Sequence, residues 1–214
     1  MNELHYTLLS DGPADKALMP ILKWLLQQRL VNVPIQSHWA DLSRLRRPPR
    51  ELHEKIQKSV EVYPCDLLFV HRDAETASLE DRLTEISNAI AKAGTTTAIP
   101  LSIGVVPVRM TEAWLLFDTN AIREAAGNPN GTVHIDLPAI GTLEDLPNPK
   151  SRLHALMLEA TGLVSRRRRR FDVNSAVQLI PEYIEDFSPL RALPAFSSLE
   201  NRVTATINNH GWCD

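Results

Sequence analysis

The sequence is poor in cysteine and has no long hydrophobic run. Its two cysteines, Cys65 and Cys213, form neither a CxxC pair nor a Cys/His spacing, which argues against structural zinc and indicates a reducing compartment. No apolar run approaches the roughly 18 residues of a membrane-spanning helix. Residues 1–12 also lack the basic flank and apolar core of a targeting signal. We therefore expect a cytoplasmic protein with no membrane partner.

An excess of positive charge is missing as well. The 214 residues carry a net charge of −3, and the sequence pI is about 6.2, so any contact with nucleic acid has to come from a local basic patch. Neither GxGxxG nor GxxxxGK[ST] occurs, which argues against a self-contained nucleotide-binding loop. What remains is the composition of an ordinary globular chain, 43% hydrophobic and 23% charged.

The most informative stretch is DLLFVHRDAE, residues 66–75. Its apolar run, Leu67–Val70, does not alternate with polar residues, which predicts a strand buried on both faces of a parallel sheet. Asp73 and Glu75 follow the carboxyl end of that strand, where open α/β sheets bind their ligands. Side chains two residues apart in an extended segment point the same way. Both carboxylates can therefore reach one hard cation such as Mg²⁺.

Strand and helix patterns alternate around this stretch. We predict further strands at 4–9, 31–37 and 103–108; Pro34 makes the second an edge strand or breaks it. We predict helices at 14–30, 52–63, 78–94 and 110–127. This order predicts an α/β fold over residues 1–127, with a mostly parallel central sheet flanked by helices. We expect an irregular excursion over residues 128–149, with a small strand around 132–135. A helical C-terminal region packed on the core follows at 150–214, with helices at 153–161, 174–183 and 197–208.

Other acidic residues fall near the predicted sheet edge. Asp11 lies in the turn after the first strand; it suits a helix cap, but the ends of the first and third strands share an edge, so Asp11 can also face Asp73 and Glu75. Glu112 follows a later strand, as a further ligand or base, or as a partner of the helix dipole. Beside it, Arg109 is a candidate phosphate contact.

Basic residues and one histidine complete the candidates. His71 suits a general acid/base because its charge changes near neutral pH, although a structural histidine at a strand end is more common. Lys150 is either a phosphate contact or a solvated lysine at a helix start. Residues 38–50 form a basic loop. Five consecutive arginines either bind a phosphate backbone or begin a solvated helix and pair with nearby carboxylates: Arg166, Arg167, Arg168, Arg169 and Arg170.

Five segments together resemble a group of uncharacterised bacterial Toprim-like proteins, often encoded beside an ATPase in genome-defence loci: SDGPADKALMPILKWLL, DLLFVHRDAE, VPVRMTEAWLLFD, NPKSRLHAL and LRALPAFSSLENRV. The resemblance implies the fold of topoisomerases, bacterial primases and overcoming-lysogenization-defect nucleases. It also implies Mg²⁺ (or Mn²⁺) bound by Asp11 at the first acidic place and by Asp73 and Glu75 at the paired place. The chain departs from the Toprim pattern at two of these positions, because Asp11 stands for Glu and Glu75 for Asp.

The sequence thus leads us to expect a Mg²⁺-dependent nuclease that acts on DNA or RNA in a genome-defence system with a partner ATPase. Its catalytic residues would be Asp11, Asp73, Glu75, Glu112 and His71, the last two assisting proton transfer. Its nucleic-acid contacts would be Arg109, Lys150 and the arginine run 166–170. The alternatives are a non-catalytic Toprim-like subunit that binds an ATPase or nucleic acid, and a phosphoryl-transfer enzyme acting on a nucleotide. Homo-oligomerisation is left open.

Overall fold

The computed structural model describes residues 3–212 and is organised around one four-stranded parallel sheet. The strands are β1 (Leu4–Leu9), β2 (Ile35–Trp39), β3 (Leu67–His71) and β4 (Leu101–Val105), in the spatial order β2-β1-β3-β4. Every neighbouring pair is parallel. The predicted α/β fold with a parallel central sheet and flanking helices is therefore confirmed, as is the edge position of the strand near Pro34.

Helices fill the connections and the C-terminal third of the chain. They are α1 (Leu18–Gln27), α2 (Leu52–Val62), α3 (Leu79–Gly94), α4 (Thr119–Ala125), α5 (Pro149–Ala160), α6 (Ser165–Arg169), α7 (Val173–Val177) and α8 (Pro194–Asn209). Short 3-10 helices lie at Pro13–Ala17, Leu42–Arg44, Thr111–Leu115, Ile140–Asp145, Ile180–Glu182 and Ser188–Ala192.

Two apolar layers cover the two faces of the sheet. On one face, Leu68 and Val70 of β3 pack with Ile56 of α2 and Ile86 of α3. On the other, Phe69 of β3 joins a larger cluster that includes α1 and the C-terminal helices. Because successive strand residues point to opposite faces, all five β3 residues are buried. The unbroken apolar run of this strand follows from its burial on both sides.

The segment after β4 departs from the predicted continuous helix at 110–127. A 3-10 helix occupies Thr111–Leu115, and α4 starts only at Thr119 because the side chain of Asp118 accepts a hydrogen bond from the backbone N–H of Ala121. That bond caps a new helix, and the 3-10 helix has already ended at Leu115. The small strand expected around 132–135 is also wrong, since this stretch has no strand in the structure. Arg123 instead donates to the carbonyls of Gly131 and Val133.

No helix within residues 3–212 combines the length and the apolar character that crossing a membrane requires.

Candidate active site

The strand order creates a crevice between β1 and β3. From β1 the chain continues to β2 at one edge of the sheet, and from β3 it continues to β4 at the opposite edge. The connections diverge beyond the carboxyl ends of β1 and β3, and open parallel sheets bind ligands at this kind of point. Residues 10–17 and residues 71–75 meet there, and both segments carry carboxylates.

Backbone hydrogen bonds extend the pairing of β3 past its last residue. The N–H groups of Arg72, Ala74 and Glu75 donate to the carbonyls of Val105, Pro107 and Arg109 at 3.1, 3.0 and 2.9 Å. The ladder ends at two residues with left-handed backbone, Glu75 with φ 53° and Arg109 with φ 66°. Positive φ is uncommon for residues other than glycine. This pairing holds the segment that carries Asp73 in place.

The centre of the crevice is a histidine between two carboxylates, and we call Asp15, His71 and Asp73 the inner cluster. Nε2 of His71 lies 3.2 Å from Oδ1 of Asp73, and Nδ1 lies 3.6 Å from Oδ2 of Asp15. The side chain of His71 is 1% exposed, that of Asp15 13% and that of Asp73 24%. One potential ligand atom from each residue lies within 4.8 Å of the other two.

The two carboxylates keep the imidazole protonated. Burial alone lowers the pKa of His71, but its contacts with Asp15 and Asp73 outweigh burial and raise that pKa from 6.5 to about 9. Burial alone raises the pKa of Asp15, but the contact with His71 and donors from Gly12 and Ser10 hold it below its ordinary value. At neutral pH the inner cluster therefore contains one imidazolium and two carboxylates.

The two nitrogens of His71 differ in how they are satisfied. Nε2 has hydrogen-bonding neighbours, because Asp73 lies at 3.2 Å and the hydroxyl of Thr111 at 3.3 Å. Nδ1 is buried, and among the described residues it has no hydrogen-bond partner. Its 3.6 Å separation from Asp15 exceeds a normal hydrogen bond. The contact with Asp15 is therefore mainly electrostatic, and the Asp15 side of the cluster is the looser one.

Asp73 is held through one of its two carboxylate oxygens. Oδ1 accepts hydrogen bonds from the backbone N–H of Thr111 at 2.9 Å and from its hydroxyl at 3.2 Å, in addition to the contact with His71. Within residues 3–212, no hydrogen bond or ion pair uses Oδ2. The carboxylate is thus fixed by Oδ1, which leaves Oδ2 free to bind an ion or a substrate.

A narrow cleft leads to the inner cluster from the C-terminal helices. Glu112, whose side chain is 12% exposed, lies 3.6 Å from the ammonium of Lys150. Side chains from α5 and α7 face the 3-10 helices of the core across the cleft, which is lined by residues including Asp15, Thr111, Glu112, Lys150, His154, Asn174 and Gln178. The predicted candidates Glu112 and Lys150 therefore lie together, next to Asp15 and Thr111.

The other predicted acids belong to a second set of charges, the outer network of Asp11, Lys55, Arg72, Glu75, Arg82 and Glu85. Asp11 pairs with Lys55 at 3.1 Å and with Arg72 at 3.2 Å, while Glu75 lies 3.5 Å from Arg82. Among residues 3–212, Asp11, Asp73 and Glu75 do not form a group whose ligand atoms all lie within 4.8 Å of one another. Of the three predicted metal ligands, only Asp73 is in the inner cluster.

The predicted nucleic-acid contacts lie in two different settings. Arg109 lies at the end of the β3 ladder, where its guanidinium is 3.5 Å from the carbonyl of Glu75. The run Arg166–Arg170 occupies and follows α6, and all five side chains are exposed. In the described part of the chain, none of the five forms an ion pair with a carboxylate. Asp172, an expected partner, instead caps α7 by accepting from Ser175.

Asp15 is the residue of the site that sequence reasoning missed. It lies four residues after Asp11 and falls inside a predicted helix rather than at a strand end. A 3-10 helix at Pro13–Ala17 turns its side chain back, so that Oδ2 accepts from the N–H of Gly12 at 3.0 Å. The available signal was an aspartate in the first turn after Gly12-Pro13, where a helix begins at the sheet edge. His154 was missed as well, since only the packing of α5 against the core brings it to the cleft.

Comparisons with protein-family models, curated proteins and solved structures find no match to this chain, so the Toprim resemblance stays a prediction.

Proposed function

We propose that the protein is a divalent-metal-dependent enzyme that cleaves phosphodiester bonds in nucleic acid, with the inner cluster at its centre. The observation that carries the proposal is the charge of this cluster at the switch point of the sheet. Two carboxylates and one imidazolium leave a net charge of −1 among side chains that are at most 24% exposed. Such a centre attracts a cation more strongly than the same charges in water. The Toprim resemblance points to the same activity.

The residues present fit a hard divalent cation. Mg²⁺ prefers oxygen ligands at about 2.1 Å, so opposite ligands are about 4.2 Å apart. Carboxylate oxygens of Asp15 and Asp73 lie within 4.8 Å of each other, and Oδ2 of Asp73 has no partner inside the described structure. Asp15 and Asp73 would therefore hold Mg²⁺ or Mn²⁺, and His71, which contacts both carboxylates, would orient them.

When bound, such an ion activates a water molecule and stabilises the charge that builds up on phosphate. The protein supplies the remaining parts. His71 and Thr111 hold the carboxylate of Asp73 in one orientation, a support that metal sites commonly need. Glu112 is close enough to the cleft to accept a proton from a water molecule. Lys150, 3.6 Å from Glu112, can bind a substrate phosphate or the leaving oxygen.

The charge balance makes metal binding depend on substrate. Because His71 already neutralises one of the two carboxylates, the protein alone offers a cation only a single net negative charge. A phosphate in the cleft adds oxygen ligands and negative charge, which is how many Mg²⁺ sites are completed. We expect weak binding of Mg²⁺ or Mn²⁺ by the free protein and tighter binding in the presence of an oligonucleotide.

The first test is calorimetric titration of the protein with Mg²⁺ and with Mn²⁺, with and without a 15-nucleotide DNA or RNA. Asp73→Asn keeps the shape of the side chain but removes its charge, and we expect it to weaken metal binding by about 100-fold or more, because loss of mere supporting groups already costs about 10- to 100-fold. Metal-dependent cleavage of the oligonucleotide, followed on a gel, should be lost in parallel.

The matched control is Asp136→Asn, which removes one carboxylate charge from the surface. Asp136 is 83% exposed and pairs with Arg152, so its loss leaves the inner cluster intact. Equal metal binding by Asp73→Asn and the unmodified protein, or cleavage that survives in Asp73→Asn, would contradict the proposal.

A second candidate function is a non-catalytic subunit that binds a partner ATPase or nucleic acid. It is favoured by the buried imidazolium, because an Asp–His–Asp arrangement can serve stability alone. It is also favoured by the arginines of 166–170 as a contact surface, since none of them forms an ion pair within residues 3–212. This version expects no binding of either ion, with or without oligonucleotide, and a stable complex with the ATPase implied by the resemblance. Co-purification with that ATPase, compared between the unmodified protein and Arg168→Gln/Arg169→Gln, tests it.

A further inference from the structure

A second basic element lies beside the site, in the loop of residues 40–51 that connects β2 to α2. Four arginines of this loop are exposed: Arg44, Arg46, Arg47 and Arg50. Arg44 pairs with Asp41 at 2.7 Å. No ion pair within residues 3–212 involves the other three. Exposed arginines that are close together in sequence and outside ion pairs in the described structure suit a polyanion, whose phosphates neutralise them and release counterions.

A cavity of about 270 Å³ separates this arginine loop from the turn after β1. The loop contributes Leu42, Pro48 and Pro49 to the walls, and the end of β2 contributes Trp39. Its polar lining consists of Ser10, Asp11, Asp41, Ser43 and Lys55. The hydroxyl of Ser10 accepts a hydrogen bond from the indole N–H of Trp39 at 2.9 Å. Ligand cavities typically hold about 300–1,000 Å³ and are mostly apolar with a few polar groups. This one suits a single flat ring system rather than a larger ligand.

The 3-10 helix Pro13–Ala17 connects the cavity to the inner cluster. Pro13 lines the cavity, whereas Asp15 lines the cleft over the inner cluster. Lys16 follows Asp15 directly, and its ammonium lies 4.3 Å from the ring centroid of Trp39. A phosphate bound by Lys16 would thus lie between a ring in the cavity and a second phosphate at Asp15.

We infer that the arginine loop and its cavity bind single-stranded nucleic acid, and this inference rests on the proposed function of the inner cluster. The arginines neutralise backbone phosphates, one unstacked base enters the cavity against Trp39, and the strand passes Lys16 to reach the cleft. A base in a duplex is stacked and paired, and taking it out costs energy. The site therefore selects single strands. The path assigned to the strand does not use the run Arg166–Arg170.

Binding is measured by fluorescence anisotropy with fluorescein-labelled 15-mers of dT and of rU in EDTA, so that no metal is present and no cleavage occurs. We expect at least one of the two to bind about tenfold or more tightly than a 15-bp duplex. The variant Arg46→Gln/Arg47→Gln should weaken single-strand binding. The slope of log K against log salt should become less steep by about 1.4, or about 0.7 for each lost phosphate contact.

Two further pairs remove the same charge elsewhere. Lys58→Gln/Lys92→Gln acts on α2 and on the last turn of α3, and Arg168→Gln/Arg169→Gln acts on the arginine run. We expect both to change the affinity less than Arg46→Gln/Arg47→Gln does. An equal or larger loss in either pair, or duplex binding as tight as single-strand binding, would overturn the inference.

The cavity is tested separately from the arginines. Trp39→Leu should weaken binding of the 15-mer about fivefold or more, since stacking on an aromatic side chain contributes at least that much per base. A 15-nucleotide abasic chain keeps every phosphate and needs no protein variant. The unmodified protein should bind it more weakly than dT, whereas Trp39→Leu should bind the abasic chain and dT equally. Equal binding of dT and the abasic chain by the unmodified protein contradicts a base in the cavity.

Failure of this inference is distinguishable from failure of the proposed function. A protein that cleaves oligonucleotides with metal but binds them independently of Arg46, Arg47 and Trp39 refutes only the strand path. A protein that binds single strands through these residues in EDTA but cleaves nothing with Mg²⁺ or Mn²⁺ refutes only the nuclease.

Discussion

The inner cluster and the outer network are two sets of charges at the same edge of one sheet, with opposite properties. In the inner cluster no side chain is more than 24% exposed, whereas in the outer network Asp11 is 45% and Glu75 66% exposed. The inner cluster has two acids and one cation. The outer network has three of each, Asp11, Glu75 and Glu85 against Lys55, Arg72 and Arg82, and is neutral.

This difference shows that a carboxylate's neighbours, more than its distance from a strand end, decide what it can bind. Asp11 follows β1 more closely than Asp15 does, but Lys55 and Arg72 already occupy both of its oxygens. Asp15 lies one helical turn further, and within residues 3–212 its one cationic partner is a buried imidazolium whose charge is shared with Asp73. An exposed, balanced ion-pair network gains little from an added cation, whereas the inner cluster keeps an unbalanced charge.

The largest expected effect comes from removing the cation of the inner cluster. The folded-state pKa of His71, about 9, is above its ordinary 6.5, so protonation stabilises the fold fully below pH 6.5, and this contribution is lost as the pH rises through 9. The shift corresponds to about 3 kcal/mol. In urea unfolding with EDTA present, His71→Asn should be about 3 kcal/mol less stable than the unmodified protein at pH 6 and much closer to it at pH 9.5.

His5 provides a control histidine, because its side chain is 44% exposed and lies 3.1 Å from Glu3. His5→Asn should change the unfolding free energy by less than about 0.5 kcal/mol at pH 6, as surface substitutions usually do. If His71→Asn followed the unmodified protein in parallel from pH 6 to pH 9.5, the imidazolium between two carboxylates would be refuted, and with it the contrast between the two sets of charges.

The second expected effect separates the acids of the two sets. Asp15→Asn should weaken binding of Mg²⁺ or Mn²⁺, measured by calorimetry with the oligonucleotide, by about tenfold or more, because it removes half of the carboxylates of the inner cluster. Asp11→Asn should weaken it less, since Lys55 and Arg72 already balance that charge. The metal ligands predicted from the sequence include Asp11 but not Asp15, and they lead to the reverse order. The two variants together therefore show whether the inner cluster or the outer network binds the ion.

The sheet was largely predictable from the sequence because its signals are local. β1 was predicted with its exact bounds. β3 was predicted within its stretch, since an apolar run without alternation, such as Leu67–Val70, indicates burial on both faces. The start of α3 was also predicted, because Ser78 accepts from the N–H of Asp81 as a cap should. The segment after β4 was not, because the pattern of 110–127 suits one helix, whereas the structure has a 3-10 helix followed by a separately capped α4.

The site was half predictable for a related reason. Asp73 and His71 belong to a strand end, which sequence can locate, and Glu112 and Lys150 stood out as charged residues near element starts. Asp15 depends on a 3-10 turn, and the pairing of Asp11 with Lys55 and Arg72 depends on how α2 packs beside the sheet. Such contacts between distant segments leave no periodic signal.

The smallest expected effect tests the outer network at Glu75. Its left-handed backbone, φ 53°, costs a residue with a Cβ about 1–2 kcal/mol, and glycine removes this strain. Glycine also adds freedom to the unfolded chain, which offsets about 0.4–1 kcal/mol, and the exposed pair with Arg82 contributes about 0–1 kcal/mol. Glu75→Gly should therefore change the unfolding free energy by less than about 1 kcal/mol and affect metal binding less than Asp15→Asn does.

Ala77→Gly, outside the regular helices in the same loop, is the control for added chain freedom alone. A loss of metal binding in Glu75→Gly as large as that in Asp73→Asn would move the ion to the outer network and reverse the comparison, since a neutral, exposed set of charges would then be the one that binds it.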